Sequence, residues 1–177
     1  MSRLMRLLAL PSRQKRVLAH AAVALLHSAW QVRRWPFPRI AAALGPVAAV
    51  VDTDTDTGTG TDVDSSKTAP AQALQVPPAV RDVQWAIGAW SRRWPWRPTC
   101  LMQALAARRL LLQQGLPCEL YFGVRGHQAP AAGGGAAIAA HAWLRCGAHV
   151  VTGAAEARQH RPIAVYRAQG AGDSNGA

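Results

Sequence analysis

Cysteine is scarce in this chain: three residues, Cys100, Cys118 and Cys146, among 177. An odd, irregularly spaced set argues against a disulfide framework and reads as a reduced, cytoplasmic protein. No four-ligand Cys/His spacing supports a zinc site, so neither a metal nor another cofactor is expected. Lysine and glutamate are equally rare, at 2 each against 18 Arg and 7 Asp. Long apolar runs are missing too. Val17–Leu26 is only ten residues long, too short to span a bilayer and without a signal cleavage site.

What remains is a basic chain with half its residues apolar, enough for one domain with a small appendage. The formal net charge is +11; residues 52–67 carry −4, so the remainder carries +15. An Arg-rich body fits nucleic acid, an acidic peptide or an anionic surface, and coding bias alone also produces it. The basic residues Arg3, Arg6, Arg13, Lys15 and Arg16 would allow weak contact with a membrane surface through an amphipathic helix.

Along the chain, Ser12 is placed to cap a helix reaching about Trp30. Arg33-Arg34-Trp35-Pro36-Phe37-Pro38 breaks it, because two prolines forbid continuation. A short helix is expected over Arg39–Leu44. The alternating Asp/Thr/Gly tract from Asp52 to Asp64 has neither apolar periodicity nor an EF-hand register. It reads as a disordered linker, residues 51–76, between an N-terminal helical segment, 1–50, and a core, 77–167, with a flexible tail at 168–177.

Val80, Val83, Ile87 and Trp90 fall near one face of a helix over about Ala79–Arg92. Trp94-Pro95-Trp96-Arg97-Pro98 is a rigid extended connector. It feeds a helix that starts near Cys100 and runs to about Gln114, with Gly115 as a left-handed C-cap. The period then changes. Cys118–Val124, Ile138–Cys146 and His149–Thr152 read as strands, with a Gly-rich loop at 126–135 and a Gly147-Ala148 turn. Helices followed by an antiparallel meander give an α+β fold.

The chemistry concentrates on Cys100 and His141, forty-one residues apart. A Cys in the first turn of a helix sits where the helix dipole favours the thiolate, and a His on a packed strand is placed to act as its base. That is the minimal constellation for cysteine nucleophilic catalysis. His149, across the turn, is a rival base. Trp143 shares the strand face of His141 and either walls the site or fills the core. Gln84 is a candidate oxyanion donor. Cys118 and Cys146, on strands without an adjacent base, read as packing residues.

From Arg97 to Tyr166 the chain resembles the transglutaminase-like cysteine protease of lasso-peptide biosynthesis, the B maturation protein. The resemblance rests on Cys100-Leu101-x-x-Ala104-Leu105, Arg109-Leu110-Leu111 with Gly115-x-Pro117, Gly123-Val124, and Ala140-His141-Ala142-Trp143. It implies a transglutaminase-like, papain-like core with the nucleophile at a helix N-terminus on a small antiparallel sheet, and Cys100 and His141 as catalytic residues. It also implies leader-peptide removal from a lasso precursor before an ATP-dependent cyclase closes the macrolactam. The expected partners are that precursor, the cyclase and a separate leader-recognition protein, because residues 1–50 lack the strand-hairpin pattern of a fused recognition element. Nucleic acid is not among them. The family commonly carries an Asp about a dozen residues after the His, but His149-Val150-Val151-Thr152-Gly153 holds no carboxylate. Glu156, Thr152 or a backbone carbonyl stand as alternatives for the orienting group. An inactive Arg-rich scaffold for an acidic peptide, or a true transglutaminase, are the alternative functions.

Overall fold

The computed structural model describes residues 11–50, 76–126 and 138–170. The expected acidic linker, most of the Gly-rich loop, the first ten residues and the end of the tail lie outside the described residues. The rest is α+β. Helices α1 (Ser12–Arg34), α2 (Phe37–Leu44), α3 (Pro78–Ser91) and α4 (Cys100–Leu112) form a layer in which α2, α3 and α4 pack on a five-stranded antiparallel sheet and α1 packs on the other helices. Its strands are β1 (Ala49–Val50), β2 (Cys118–Gly126), β3 (Ile138–Cys146), β4 (His149–Thr152) and β5 (Arg161–Ala168), in the order β1-β5-β2-β3-β4. A single helical turn, α5 (Ala154–Ala157), joins β4 to β5 and packs on β3.

Helix boundaries follow local chemistry. Helix α1 starts one residue earlier than a Ser12 cap requires. Pro11 is the N-cap and Ser12 is already helical, so the hydroxyl caps nothing. The helix continues past Trp30 to Arg34, where the Trp35-Pro36 step ends it. Helix α2 begins at Phe37 rather than Arg39, because Pro38 falls in the first turn, where a missing N–H costs nothing. Helix α4 is capped by Thr99, whose Oγ1 accepts from the Met102 N–H at 3.3 Å. It ends in a Schellman pattern: Gly115 adopts φ +72°, Leu116 N–H donates to Leu111 O at 3.0 Å, and Gly115 N–H to Leu112 O at 3.0 Å.

The expected β2-β3-β4 meander is present, and β5 lies on the other side of β2, making β2 the central strand. The residue pattern after Thr152 does not announce this strand. Pro162 near the start of β5 masks it, although Pro is tolerated at a strand's first residues.

One apolar cluster joins helices and sheet. Ala21, Ala24 and Leu25 of α1 meet Val83 and Ile87 of α3, Ala104 and Leu111 of α4, and Leu120, Leu144 and Tyr166 of the sheet. Trp90 Nε1 donates to Leu18 O at 2.8 Å and Arg13 pairs with Asp82 at 2.8 Å, both tying α1 to α3. The N-terminal helix is thus part of the core of the folded unit. Among the described residues, no helix is long and apolar enough to cross a membrane.

Candidate active site

Cys100 is the first residue of α4 and is partly exposed. The Thr99 side chain takes the Met102 N–H, and the Thr99 carbonyl takes the Gln103 N–H at 3.0 Å. The Cys100 and Leu101 N–H groups therefore remain at the open first turn, where a helix presents unpaired donors to an anion. Gln103 Nε2 donates to Pro98 O at 2.9 Å, which fixes the connector against the helix. That connector walls an open cavity of about 580 Å³, with Trp94, Arg97, Pro98 and Gln103 in its lining. Trp90, Trp94 and Trp96 stack edge-on in series, at 5.0 and 5.1 Å between centroids. The Trp94 Nε1–H is buried and has no partner among the described residues.

The other two thiols are inert by burial. Cys118 is 2% exposed, and burial pushes its thiol up to about 11, against a smaller opposing pull from Arg108. Burial also raises the Cys146 thiol.

His141 sits near the start of β3, 9% exposed and registered with Gly123. Its Nε2 lies 3.2 Å from the Gly153 carbonyl oxygen and 4.0 Å from Glu156 Oε2. The Gly153 carbonyl can only accept, so Nε2 carries the proton and Nδ1 is the nitrogen left to act as a base. Gly153 follows His141 by twelve residues, the position at which the resemblance leads one to expect an Asp. Here the main chain takes that place. Gly153 has φ +75°, and a Cβ on it would stand 2.7 Å from His141 Nε2 and 2.9 Å from Trp143 Cβ. Thr152 takes no part in orienting the ring, since its Oγ1 is buried with no hydrogen bond among the described residues.

A stack of rings supports His141. Trp143 lies nearly parallel to it at 5.9 Å and to Tyr121 at 5.4 Å, with interplanar angles of 16° and 10°. Gly123 makes room, since a Cβ there would meet the Trp143 indole at 2.7 Å. Tyr121 Oη donates to Glu119 at 2.6 Å, and Arg167 Nε donates to the same carboxylate at 2.8 Å. Burial pushes the Glu119 carboxyl up, but these two donors outweigh it and hold it below the usual carboxylate range. His160, not singled out by the sequence, approaches His141 at 5.0 Å between centroids, with its Nδ1 2.8 Å from Glu156 O.

The rivals are placed elsewhere. His149 pairs with Cys146 at the hairpin end of β3, five positions and about 17 Å along the strand from His141. Gln84 Nε2 donates to Val150 O at 3.4 Å, so its amide is engaged with β4.

Cys100 begins α4, which packs on β3, the strand that carries His141. Strand alternation sends Leu144 and Cys146 into the helical layer and His141 and Trp143 to the other side. Among the described residues, no hydrogen bond joins Cys100 to His141. The structure thus places the Cys100 thiol at a helix N-terminus and an oriented His141 imidazole on the sheet face away from the helices, without a closed pair.

The order of these parts, a Thr-capped cysteine helix followed by an antiparallel sheet carrying the histidine, is matched over residues 36–165 by a family model described as the transglutaminase-like superfamily. No curated protein and no solved structure matches the chain. The matched span runs from the start of α2 into β5 and contains Cys100, His141, Gly153 and Glu156, and the chain belongs to the transglutaminase-like superfamily.

Proposed function

We propose that this protein is a cytoplasmic thiol peptidase of lasso-peptide maturation, removing the precursor's leader so that an ATP-dependent cyclase can close the macrolactam. The observation that carries the reading is Cys100 at the open N-terminus of α4, within a transglutaminase-like domain. The His141 imidazole, oriented through Nε2, supports it.

In the proposed reaction His141 Nδ1 takes the Cys100 proton and Sγ attacks the scissile carbonyl carbon. The Cys100 and Leu101 N–H groups hold the resulting oxyanion. The C–N bond breaks as His141 returns its proton to the leaving amine. Water then cleaves the thioester, releasing the leader as a carboxylic acid and restoring the thiol. The scheme requires a rearrangement that brings Cys100 to the His141 ring, which lies on the sheet face away from the helical layer.

The test is incubation of the chain with a lasso precursor peptide, with and without a leader-recognition protein, followed by mass spectrometry. The expected products are free leader acid and a core peptide with a free amine, absent with Cys100→Ala. Incorporation of a supplied primary amine at a glutamine side chain, with release of ammonia and the backbone left intact, would instead assign true transglutamination. A second reading, an inactive binding scaffold, is favoured by the missing Asp and the unjoined Cys100 and His141. A Cys100 thiol that alkylates no faster than a model thiol would support that reading.

A further inference from the structure

A second site lies at the far end of α4. Helices α1, α2 and α4 enclose an open cavity of about 430 Å³, lined by Trp35, Ile40, Leu44, Leu105 and Leu112 and by two cations, Arg108 and Arg109. Arg108 Nη2 donates to Leu44 O at 3.1 Å, but its Nε–H is buried with no partner among the described residues. Burial lowers the Arg108 guanidinium from its usual value, so an anionic acceptor would relieve a group that is costly to leave unpaired. The described acids, Asp82, Glu119 and Glu156, are turned to Arg13, Arg167 and His141, and none pairs with Arg108, Arg109 or Arg39. Arg39 lies over the Trp35 ring at 4.5 Å.

Trp35 carries the apolar lining outward to Trp30 of α1, which is 51% exposed. The Trp30 ring meets Trp35 edge-on at 6.0 Å. The surface is therefore apolar along its length, cationic at its rim, and left with an unsatisfied donor inside.

We propose that this groove anchors an acidic, amphipathic segment of the peptide substrate, with a carboxylate on Arg108 and Arg109 and apolar side chains along Trp30, Trp35 and Leu112. The charge complementarity selects the occupant: helix-in-groove recognition supplies apolar anchors, and the planar guanidinium supplies carboxylate specificity. This inference rests on the peptidase reading only in naming the occupant as substrate. Arg109 follows Cys100 by nine residues on one helix, about 13 Å along its axis. An anchored chain therefore needs at least about four extended residues to reach the nucleophile.

The experiment uses the full chain carrying Cys100→Ala and a fluorescein-labelled amphipathic peptide of leucine and glutamate, read by anisotropy at low and high salt. Tight binding is expected, weakened about tenfold or more when glutamine replaces glutamate, when salt is raised, or by the exposed charge reversal Arg109→Glu. Leu112→Glu should weaken it likewise. Equal binding of the glutamate and glutamine peptides would overturn the proposal. So would binding unchanged by both Arg109→Glu and Leu112→Glu, which would place the peptide elsewhere on the basic surface. Binding is measured without the Cys100 thiol, so failure of the natural chain to cleave a lasso precursor would count against the peptidase reading alone and leave the groove's test untouched.

Discussion

The three thiols differ in their surroundings, and that difference predicts their reactivity. Cys118, held at about 11, is only about one part in a thousand thiolate at pH 8. Iodoacetamide at neutral pH should therefore modify Cys100 much faster than Cys118 or Cys146, as peptide mapping would show. Cys118 labelling should grow as pH rises toward 11. If His141 is the base, His141→Ala should also alter the pH profile of Cys100 alkylation, while His149→Ala leaves it unchanged. Gly153 is the most demanding position. Gly153→Ala would force a Cβ against the His141 ring at a left-handed backbone angle of +75°, costing about 1–3 kcal/mol. It should lower cleavage far more than Glu156→Gln, whose carboxylate is 57% exposed and 4.0 Å from the ring. Thermal melts and cleavage rates on both variants test this ordering.

At the scale of elements, α4 is the helix that presents Cys100, and its cap is local. Thr99→Ala should cost about 1 kcal/mol, with Thr99→Ser restoring most of it, because a hydroxyl is all the Met102 N–H requires. Cleavage should fall with the cap, since the same turn presents the Cys100 and Leu101 donors. The sheet depends on distant partners instead. Gly123→Ala would drive a Cβ into the Trp143 indole and the Arg161 carbonyl, at 2.7 and 2.8 Å. It should disrupt the Tyr121–Trp143–His141 stack, seen as a changed near-UV circular dichroism spectrum with the far-UV spectrum kept.

Across the whole molecule, α1 belongs to the folding unit although the family match begins at residue 36. Its Ala21, Ala24 and Leu25 are at most 3% exposed within the common cluster. A chain starting at Trp35 should therefore lose its cooperative thermal transition, as calorimetry would show, whereas a free-standing core would keep it. Leu25→Ala should cost about 2–5 kcal/mol in the full chain for the same reason.

Much of this is legible one element at a time. Cys100 at a helix start, Gly115 as the helix stop, and the β2-β3-β4 meander all follow from short-range signals: the proline-bearing connector before the helix, a left-handed glycine, a change of period from helix to strand. These depend on neighbours within a few residues, which the chain itself supplies. Strand β5 is not legible, because Pro162 obscures its start and its partner β2 lies more than thirty residues earlier. Nor is the orienting group of His141. Strand β4 carries no carboxylate, and only tertiary structure turns the Gly153 carbonyl toward Nε2, through a backbone angle that side-chain patterns do not encode. The protonation of Cys118 and the unpaired Arg108 Nε–H are likewise settled by burial, which depends on how α1, α2, α4 and the sheet pack together. Short-range sterics and hydrogen bonding thus determined where Cys100 stands, and long-range packing decided what surrounds it.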